Sequence, residues 1–236
     1  MTLDFIGGVI LMAAILVNMS VFTNALAVSQ TVRIGLVATA GAWTGLQLSL
    51  YSAGAYQSDL VREVFPLVGL MVALPMMAVG VAAIVSDRVR AILLAVPMQV
   101  LIGLNSMRIF GALFLFLAAA GRLSGPFPYS AGWGDVIAGL VAIPLAIRAA
   151  NGSASPAAIF AWNVFAAADL IAAIALGVES SEGSPLQVFA SPGSAAVQHL
   201  PYLLIPTVLV PFYLITHGIV FAQLRQRRSA AAVAEA

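Results

Sequence analysis

The stretch from residue 91 to residue 121 constrains the fold more than any other part of the chain. It reads AILLAVPMQVLIGLNSMRIFGALFLFLAAAG and carries one charge, Arg108, near its middle. About 20 apolar residues in an α-helix cross the hydrocarbon core of a bilayer, so this stretch is long enough to span a membrane. A guanidinium inside that core is costly unless a partner, a water-filled cavity or the interface receives it. The stretch therefore predicts a membrane helix in which Arg108 faces a polar group.

The composition extends this interpretation to the whole chain. Hydrophobic residues make up 62% of the 236 residues and charged residues 8%, whereas soluble domains carry about 25% charged residues. The absence of cysteine excludes disulfides and thiolate metal sites, and because all ten basic residues are arginines, a lysine Schiff base is excluded too. The N-terminal Met-Thr-Leu-Asp lacks the basic region of a signal peptide, so we expect the first apolar run to remain as a membrane helix.

Apolar runs separated by polar breaks predict seven membrane-spanning helices. The predicted spans 1 to 7 cover about 5–27, 34–55, 65–86, 91–121, 134–150, 156–178 and 200–225. The predicted fold class is therefore an all-α integral membrane protein with a seven-transmembrane-helix bundle. We assign this bundle to one domain, residues 1–228, and expect residues 229–236 to form a disordered cytoplasmic tail.

The arginines predict the orientation of the bundle. Cytoplasmic loops of membrane proteins carry an excess of Lys and Arg. With seven spans and the N-terminus outside, the outer segments hold Arg62 and Arg122, and the inner segments hold seven arginines: Arg33, Arg88, Arg90, Arg148, Arg225, Arg227 and Arg228. We therefore predict an outer N-terminus and a cytoplasmic C-terminus in the cell membrane, which is the inner membrane if the source is a bacterium.

Similar short strings recur in spans 1 to 3 and spans 5 to 7. The string at residues 7–10, GGVI, matches GDVI at 134–137, and the string at 42–44, AWT, matches AWN at 161–163. Two parallel triplets joined by span 4 are one explanation, and chance matches in a chain rich in Gly, Ala, Val and Ile are the other. The 3+1+3 plan resembles that of the SWEET sugar transporters, which also have an outer N-terminus. Those proteins have a proline in the first two helices of each triplet, and spans 1 and 2 have none, so the resemblance is limited to the plan.

Arg108 and Asp169 are predicted to form an ion pair. The helical rise places Arg108 about 25 Å from residue 91, in the outer half of span 4, with Asn105 on the same face. Asp169 lies past the middle of span 6, also towards the outside, and shares a face with Trp162, seven residues earlier. Either charge alone inside the membrane would be costly, so pairing satisfies both. A pair that fixes helix packing and a pair that belongs to a ligand or proton site both remain open.

Two further titratable groups are candidates. Asp135 begins predicted span 5, where it can cap the helix or line an outer mouth of the bundle. His217 lies in the inner half of span 7, with Tyr213 one turn earlier on the same face. An interhelical hydrogen bond, proton transfer, haem ligation and substrate contact are all open roles for His217. His199, about 27 Å from His217 by helical rise, cannot share one metal ion with it within one chain.

These observations lead to a first functional hypothesis, a polar cavity entered from the outer face that binds or transports a small solute, with an anionic solute as one option. The alternatives are a membrane redox subunit that binds haem or quinone through His217, and a sensor or assembly protein without chemistry. No P-loop, zinc signature or nucleophile elbow is present, so we expect neither an enzyme nor a metal site. The expected partners are the bilayer and a small-molecule solute, with a homo-oligomer left open and no nucleic acid. The candidate ligand-binding residues are Arg108, Asp169, Asn105, Asp135, Trp162, Asn163, His217 and Tyr213.

Overall fold

The computed structural model describes residues 2–58 and 67–234, with side chains through residue 229. Every regular element in these ranges is helical. The longer α-helices are α1 (Thr2–Ala25), α2 (Gln30–Ser52), α3 (Leu67–Val85), α7 (Phe127–Ala150), α8 (Pro156–Glu179) and α9 (Val210–Ala234). Three shorter α-helices are α4 (Asp87–Leu94), α5 (Met98–Leu104) and α6 (Ala112–Ala119). A 3-10 helix (Asn105–Gly111) joins α5 to α6, a π-helical turn (Ile205–Leu209) precedes α9, and two more 3-10 turns cover Ala55–Gln57 and Ala195–Gln198.

Six helical segments are long and apolar enough to cross a membrane. They are Thr2–Ala25, Leu67–Val85, Met98–Ala119, Phe127–Ala150, Pro156–Glu179 and Ile205–Ser229. This set fits a multi-pass helical membrane protein, as predicted. Predicted span 2 forms a helix, α2, but is not in the set because Gln30, Arg33, Gln47 and several hydroxyl side chains make it less apolar than the other six. The seven-span count, the orientation and the 3+1+3 repeat are not confirmed by these six segments.

The structure corrects the beginning of predicted span 4. Residues 91–94 belong to the separate helix α4, whose first turn is capped by the Ser86 hydroxyl accepting from the Val89 amide at 3.3 Å. The spanning segment begins only at Met98, after Pro97, which cannot donate a backbone hydrogen bond. The Gln223 amide of α9 donates to the Leu94 and Val96 carbonyls at 3.1 and 2.7 Å, so these groups at the break have partners. Arg108 is therefore near the middle of the segment Met98–Ala119 and not in its outer half.

Predicted span 5 begins earlier than expected. The predicted spans leave residues 122–133 as a connection, but α7 starts at Phe127 and includes residues 127–133. Pro126 and Pro128 at the start of this helix explain the difference, because proline is well tolerated in a first helical turn, where the amide has no intrahelical partner. Asp135 is consequently the ninth residue of α7, so the expected capping role is wrong.

The last spanning segment is irregular at its start. Predicted span 7 was expected from about residue 200, whereas regular helical structure begins with the π-helical turn at Ile205. Pro211 removes the amide that the Thr207 carbonyl would accept from in an α-helix. The indole Nε1 of Trp43 in α2 donates to that carbonyl at 2.8 Å. At its other end α9 is described to Ala234, within residues 229–236, for which disorder remains a prediction.

Close helix packing brings α7 against the 3-10 helix that carries Arg108. A Cβ atom on Gly139 of α7 would lie 2.7 Å from the backbone nitrogen of Ile109, which is too close for any side chain. A Cβ on Gly111 would likewise collide with the Asp135 side chain. Small residues commonly allow such close approaches between membrane helices. The two glycines therefore set the distance at which Asp135 can reach Arg108.

The contact at Gly139 predicts a large effect of a single methyl group. Gly139→Ala should destabilise the fold by about 1–3 kcal/mol, because the methyl must displace the backbone of residue 109. Gly41→Ala in α2 is the matched control, since no atom of the described residues outside that helix lies within 4 Å of its Cβ position. The unfolding midpoint of the purified protein in detergent measures both changes. An equal midpoint for the two variants would contradict the packing described here.

Candidate functional site

Arg108 occupies the 3-10 helix in the middle of a spanning segment. A 3-10 helix has three residues per turn, so side chains three apart eclipse one another. Asn105 and Arg108 therefore point in the same direction, and both are buried. The Arg108 side chain is 1% exposed, which means that its positive charge depends on protein partners.

The guanidinium of Arg108 donates hydrogen bonds to three helices. Its Nε donates to Asp135 Oδ1 of α7 at 2.7 Å, and its Nη2 donates to Asp169 Oδ2 of α8 at 2.6 Å. Its Nη1 contacts the Ala166 carbonyl of α8 at 2.9 Å and His217 Nε2 of α9 at 3.2 Å. Each of the three nitrogens thus has an acceptor. The predicted ion pair between Arg108 and Asp169 is present, and Asp135 forms a second ion pair that the sequence did not indicate.

Glycine allows Asp169 to approach α7 closely. A Cβ atom on Gly134 would overlap the Asp169 carboxylate, so only a glycine at position 134 leaves room for that group. The two carboxylates therefore lie on either side of one guanidinium, with side-chain exposures of 13% for Asp135 and 9% for Asp169. Oδ1 of Asp135 and Oδ2 of Asp169 accept from Arg108, while Asp135 Oδ2 and Asp169 Oδ1 have no donor among the described residues.

His217 belongs to the same cluster, and its neighbours fix which ring nitrogen carries the proton. Arginine can only donate, so His217 Nε2 accepts from Arg108 Nη1. His217 Nδ1 then carries the hydrogen and donates to Asn163 Oδ1 at 2.7 Å, while Asn163 Nδ2 donates to the His217 carbonyl at 3.2 Å. This arrangement describes a neutral imidazole. We expected His217 to lie deeper than Arg108, and this is wrong because the spanning segments of both residues begin later in the chain than predicted.

Trp162 and a second polar group border the cluster. The Trp162 ring lies 5.4 Å from the His217 ring between centroids, and its indole donates to the Ala138 carbonyl at 3.0 Å. In the second polar group, the Asn105 amide donates to the Thr216 hydroxyl at 3.5 Å. In the same region Asn18 of α1 donates to the Tyr213 hydroxyl at 2.9 Å. These contacts join α1 and the 3-10 helix to α9 at the level of the Arg108 cluster, by which we mean Arg108, Asp135, Asp169, His217 and Asn163.

A cavity next to the cluster has a volume of about 110 Å³, and Asp135 is one of its walls. We call it the Asp135 cavity. Its walls come from α3, α6, α7, α8 and the start of the last spanning segment, and are mostly apolar: Val72, Phe114, Phe127, Leu170, Ala173, Ile174, Val178, Val197, Ile205 and Val210. Polar side chains beyond the end of α8 and in the turns near it also line it: Tyr56, Ser181, Glu182, Ser194 and Gln198. A second cavity of about 30 Å³ is bordered by Arg108, Asp135 and Tyr213.

Tyr56 contributes a neutral hydroxyl to the Asp135 cavity. Burial raises the pKa of Tyr56 to about 12, so the phenol stays protonated at physiological pH. Its hydroxyl donates to Gln47 Oε1 of α2. Gln47 is the one buried residue of α2 and also donates to the sulfur of Met71 in α3 at 3.6 Å. This contact attaches the 3-10 turn Ala55–Gln57 to the bundle beside the cavity.

The structure brings the eight predicted ligand-binding residues to one level of the bundle but distributes them differently from the prediction. Asp135 borders the Asp135 cavity, and Arg108 and Tyr213 border the smaller one. The other five are in the packed interior or at its edge: Asn105, Trp162, Asn163, Asp169 and His217. Sequence reasoning missed the Ala166 and Ala138 carbonyls, which no side-chain pattern signals. It also missed the apolar cavity wall, because its residues resemble ordinary core positions.

Comparison with protein families gives a match to most of the chain. The sequence model of a family described as Domain of unknown function (DUF8737) matches residues 65–225. This range contains the four residues that hydrogen-bond with the Arg108 guanidinium. Neither the comparison with curated proteins nor that with solved structures found a match.

The two ion pairs predict strong coupling between Arg108 and Asp169. Removing one partner of a buried pair costs about 3–5 kcal/mol because the other charge stays buried, whereas removing both can cost far less. Arg108→Leu leaves both carboxyl groups without a cation and should lower the free energy of unfolding by this amount, whereas Asp169→Leu leaves the Arg108–Asp135 pair in place and should cost less. The double variant should be clearly more stable than the sum of the two losses implies.

Unfolding of the purified protein by a denaturing detergent provides the measurement for all three variants. Arg90→Leu is the control, since Arg90 pairs with Asp87 on the surface, where an ion pair contributes little. Additive losses in the double variant would show that the two residues do not interact.

Proposed function

The chain belongs to the family described as Domain of unknown function (DUF8737), and because that description names no function, we propose one from the geometry of the chain. We propose that it is a seven-span membrane protein that binds a small solute in the Asp135 cavity and carries it across the bilayer. The observation that supports this most is a cavity between spanning helices in which one ionisable group, Asp135, is held in place by a buried cation. Apolar pockets with a few positioned polar groups are the usual form of small-molecule sites.

The size of the Asp135 cavity favours a small solute. Its volume of about 110 Å³ is several times the roughly 10–15 Å³ that one water needs in the same measure. It extends along α8 from Leu170 to beyond the end of that helix at Glu179, where Ser181 and Glu182 line it. Ten residues of helix correspond to about 15 Å. The cavity therefore suits an elongated molecule of roughly ten non-hydrogen atoms or fewer.

The pairing of Arg108 determines which solutes the site favours. A free guanidinium would favour an anionic or carboxylate-bearing solute. All three nitrogens of Arg108, however, already donate to protein acceptors. The group that borders the cavity is instead a carboxyl, which prefers hydrogen-bond donors. We therefore favour a mostly apolar solute with a donating polar end over an anion.

The redox alternative receives less support from the geometry. Haem ligation by His217 needs a free ring nitrogen. Both nitrogens of this ring are hydrogen-bonded, Nε2 with Arg108 and Nδ1 with Asn163. Ligation would break one of these contacts and leave a buried polar group without its partner.

The course of α2 supports seven spans with the N-terminus outside. At one end of α2, Tyr51 contacts His199 at 3.3 Å, and at the other end Arg33 Nε donates to the Thr23 carbonyl of α1 at 3.1 Å. Trp43 contacts the last spanning segment between these two points. At about 1.5 Å per residue, the 23 residues of α2 correspond to about 34 Å, enough to cross a bilayer. From the arginine distribution we expect the N-terminus and the Asp135 cavity on the outer side.

Reporter fusions test this topology. A fusion after Gln57 should report the outer side, whereas fusions after Arg90 and Arg228 should report the cytoplasm. Each site is tested with alkaline phosphatase, which is active outside, and with green fluorescent protein, which is fluorescent inside. Cytoplasmic reporting after Gln57 would show that α2 does not cross, and outside reporting after Arg228 would refute the orientation.

Cysteine accessibility tests the cavity directly, because the chain has no cysteine of its own. Ala173→Cys places a thiol in the wall of the Asp135 cavity, while Ala172→Cys places it on the outward surface of the same helix turn. In membrane-embedded protein, a water-soluble maleimide added from outside should label the first and not the second. Asn105→Cys, at a 1% exposed position, should also stay unlabelled. Equal labelling at 172 and 173, or none at 173, would remove the support for a solute cavity.

A further inference from the structure

The Arg108 cluster is not electrically balanced. It contains one guanidinium, two carboxyl groups and a histidine whose partners fix it as neutral. With both carboxyl groups ionised, the cluster would carry one net negative charge among apolar side chains inside a spanning region. Such a charge is costly unless a cation or a proton compensates it.

We propose that the Asp135 cavity binds a small lipophilic amine in its ammonium form, and that the ammonium exchanges with one proton held by the Asp135 and Asp169 carboxyl groups. This inference rests on the proposed function and names its solute. In the resting state one carboxyl group is protonated and the cluster is neutral. When the ammonium enters, the O–H bond of that carboxyl breaks and the proton leaves to water. The net charge of the occupied cluster is therefore the same as before.

The position of Asp135 supports this exchange. Its Oδ1 atom accepts from Arg108, so the carboxyl group is fixed in orientation. Its Oδ2 atom has no donor among the described residues, and Asp135 is part of the cavity wall. In the proposed complex the ammonium donates to this oxygen at the Asp135 end of the cavity. Its hydrocarbon part would lie against the apolar wall that α8 contributes at Leu170, Ala173 and Ile174.

The other titratable groups around the site are compatible with a cation. Arg108 is engaged by both carboxyl groups, and His217 accepts from Arg108 without charge. Tyr56 and Tyr213 are phenols in the walls of the two cavities. Glu182, beyond the end of α8, is a further carboxyl group of the Asp135 cavity. Among the described residues that line this cavity, none is an arginine, so a positively charged solute meets acidic groups along it.

Exchange also explains how a carrier could couple solute and proton movement. The cluster can hold the proton or the ammonium, and either one neutralises the unpaired carboxylate. Holding both would leave an excess positive charge in the same apolar surroundings. Binding of one ligand therefore weakens binding of the other, and this effect is reciprocal.

Three probes of similar size and different charge test the proposal. Benzylamine is a cation at neutral pH, benzyl alcohol is neutral and benzoate is an anion. Calorimetric titration of the purified protein in lipid nanodiscs should show benzylamine binding at least tenfold more tightly than the other two. Titration in two buffers of different ionisation enthalpy should show the release of about one proton per bound benzylamine. While the cluster is protonated, its affinity for benzylamine should rise about tenfold per pH unit.

Variants separate binding in the cavity from partition into the lipid. Ala173→Phe fills the cavity without replacing a residue of the ion pairs, so it should abolish benzylamine binding. Ala172→Phe, on the outward surface of the same turn, should bind as the wild type does. Asp135→Asn should remove both the preference for the cation and the proton release. If Asp135→Asn does not fold, the Ala173→Phe and Ala172→Phe comparison still decides whether the probe occupies the cavity.

The outcomes distinguish this inference from the proposed function. Equal binding of benzylamine and benzyl alcohol without proton release would overturn the exchange and leave a solute site for neutral molecules. Preference for benzoate would overturn it in favour of an anion site. If none of the probes binds, or if Ala173→Phe binds benzylamine normally, the amine site is refuted, while labelling at position 173 still reports independently on the cavity.

Discussion

The placement of one guanidinium inside the bundle is the constraint on which the rest of this structure depends. Arg108 lies in the middle of a spanning segment, where its side chain is 1% exposed and its charge depends on protein acceptors. Its acceptors come from α7, α8 and α9, so these helices must meet around one point. The glycines at 111, 134 and 139 allow the approach, because a side chain at any of them would collide with a carboxylate or a backbone. The arrangement of α7, α8 and α9 thus follows from the need to solvate a single charge.

Stability alone is a poor explanation for this cluster. A buried ion pair often contributes no more than well-packed hydrophobic residues of similar volume, since desolvation offsets the attraction between the charges. A cluster that also contains a second carboxyl group, a histidine and an asparagine buries still more polar groups, each of which needs a partner. Such groups inside a membrane commonly belong to ion or substrate pathways. Because the Asp135 cavity adjoins the cluster, we favour a role in such a pathway over a purely structural role.

The sequence predicts the helical class, most of the spans and the Arg108–Asp169 pair, because these depend on hydrophobic length and on the cost of a lone charge. It does not predict the role of Asp135, since its position in α7 depends on a helix start at Phe127 in a segment rich in turn-forming residues. It also misplaces Arg108 relative to His217. The break before Pro97 and the late start at Ile205 shift both residues along their helices, and neither shift is visible in the hydrophobic pattern.

The irregular helical segments lie where a carrier would need them. The 3-10 helix carries Arg108, and Ile205 of the π-helical turn lines the Asp135 cavity. At the opposite end, Gln223 and Arg227 border another cavity, of about 590 Å³, beside the break at Pro97. The Arg108 cluster lies between these two cavities along the last spanning segment, since Ile205, His217 and Gln223 follow one another on it. Departures from α-helical geometry often accompany functional sites because they expose backbone groups and re-aim side chains. For the proposed carrier, the cluster is therefore both the closed point between two cavities and the place where charge is exchanged, so any movement that opens one side must first change the partners of Arg108.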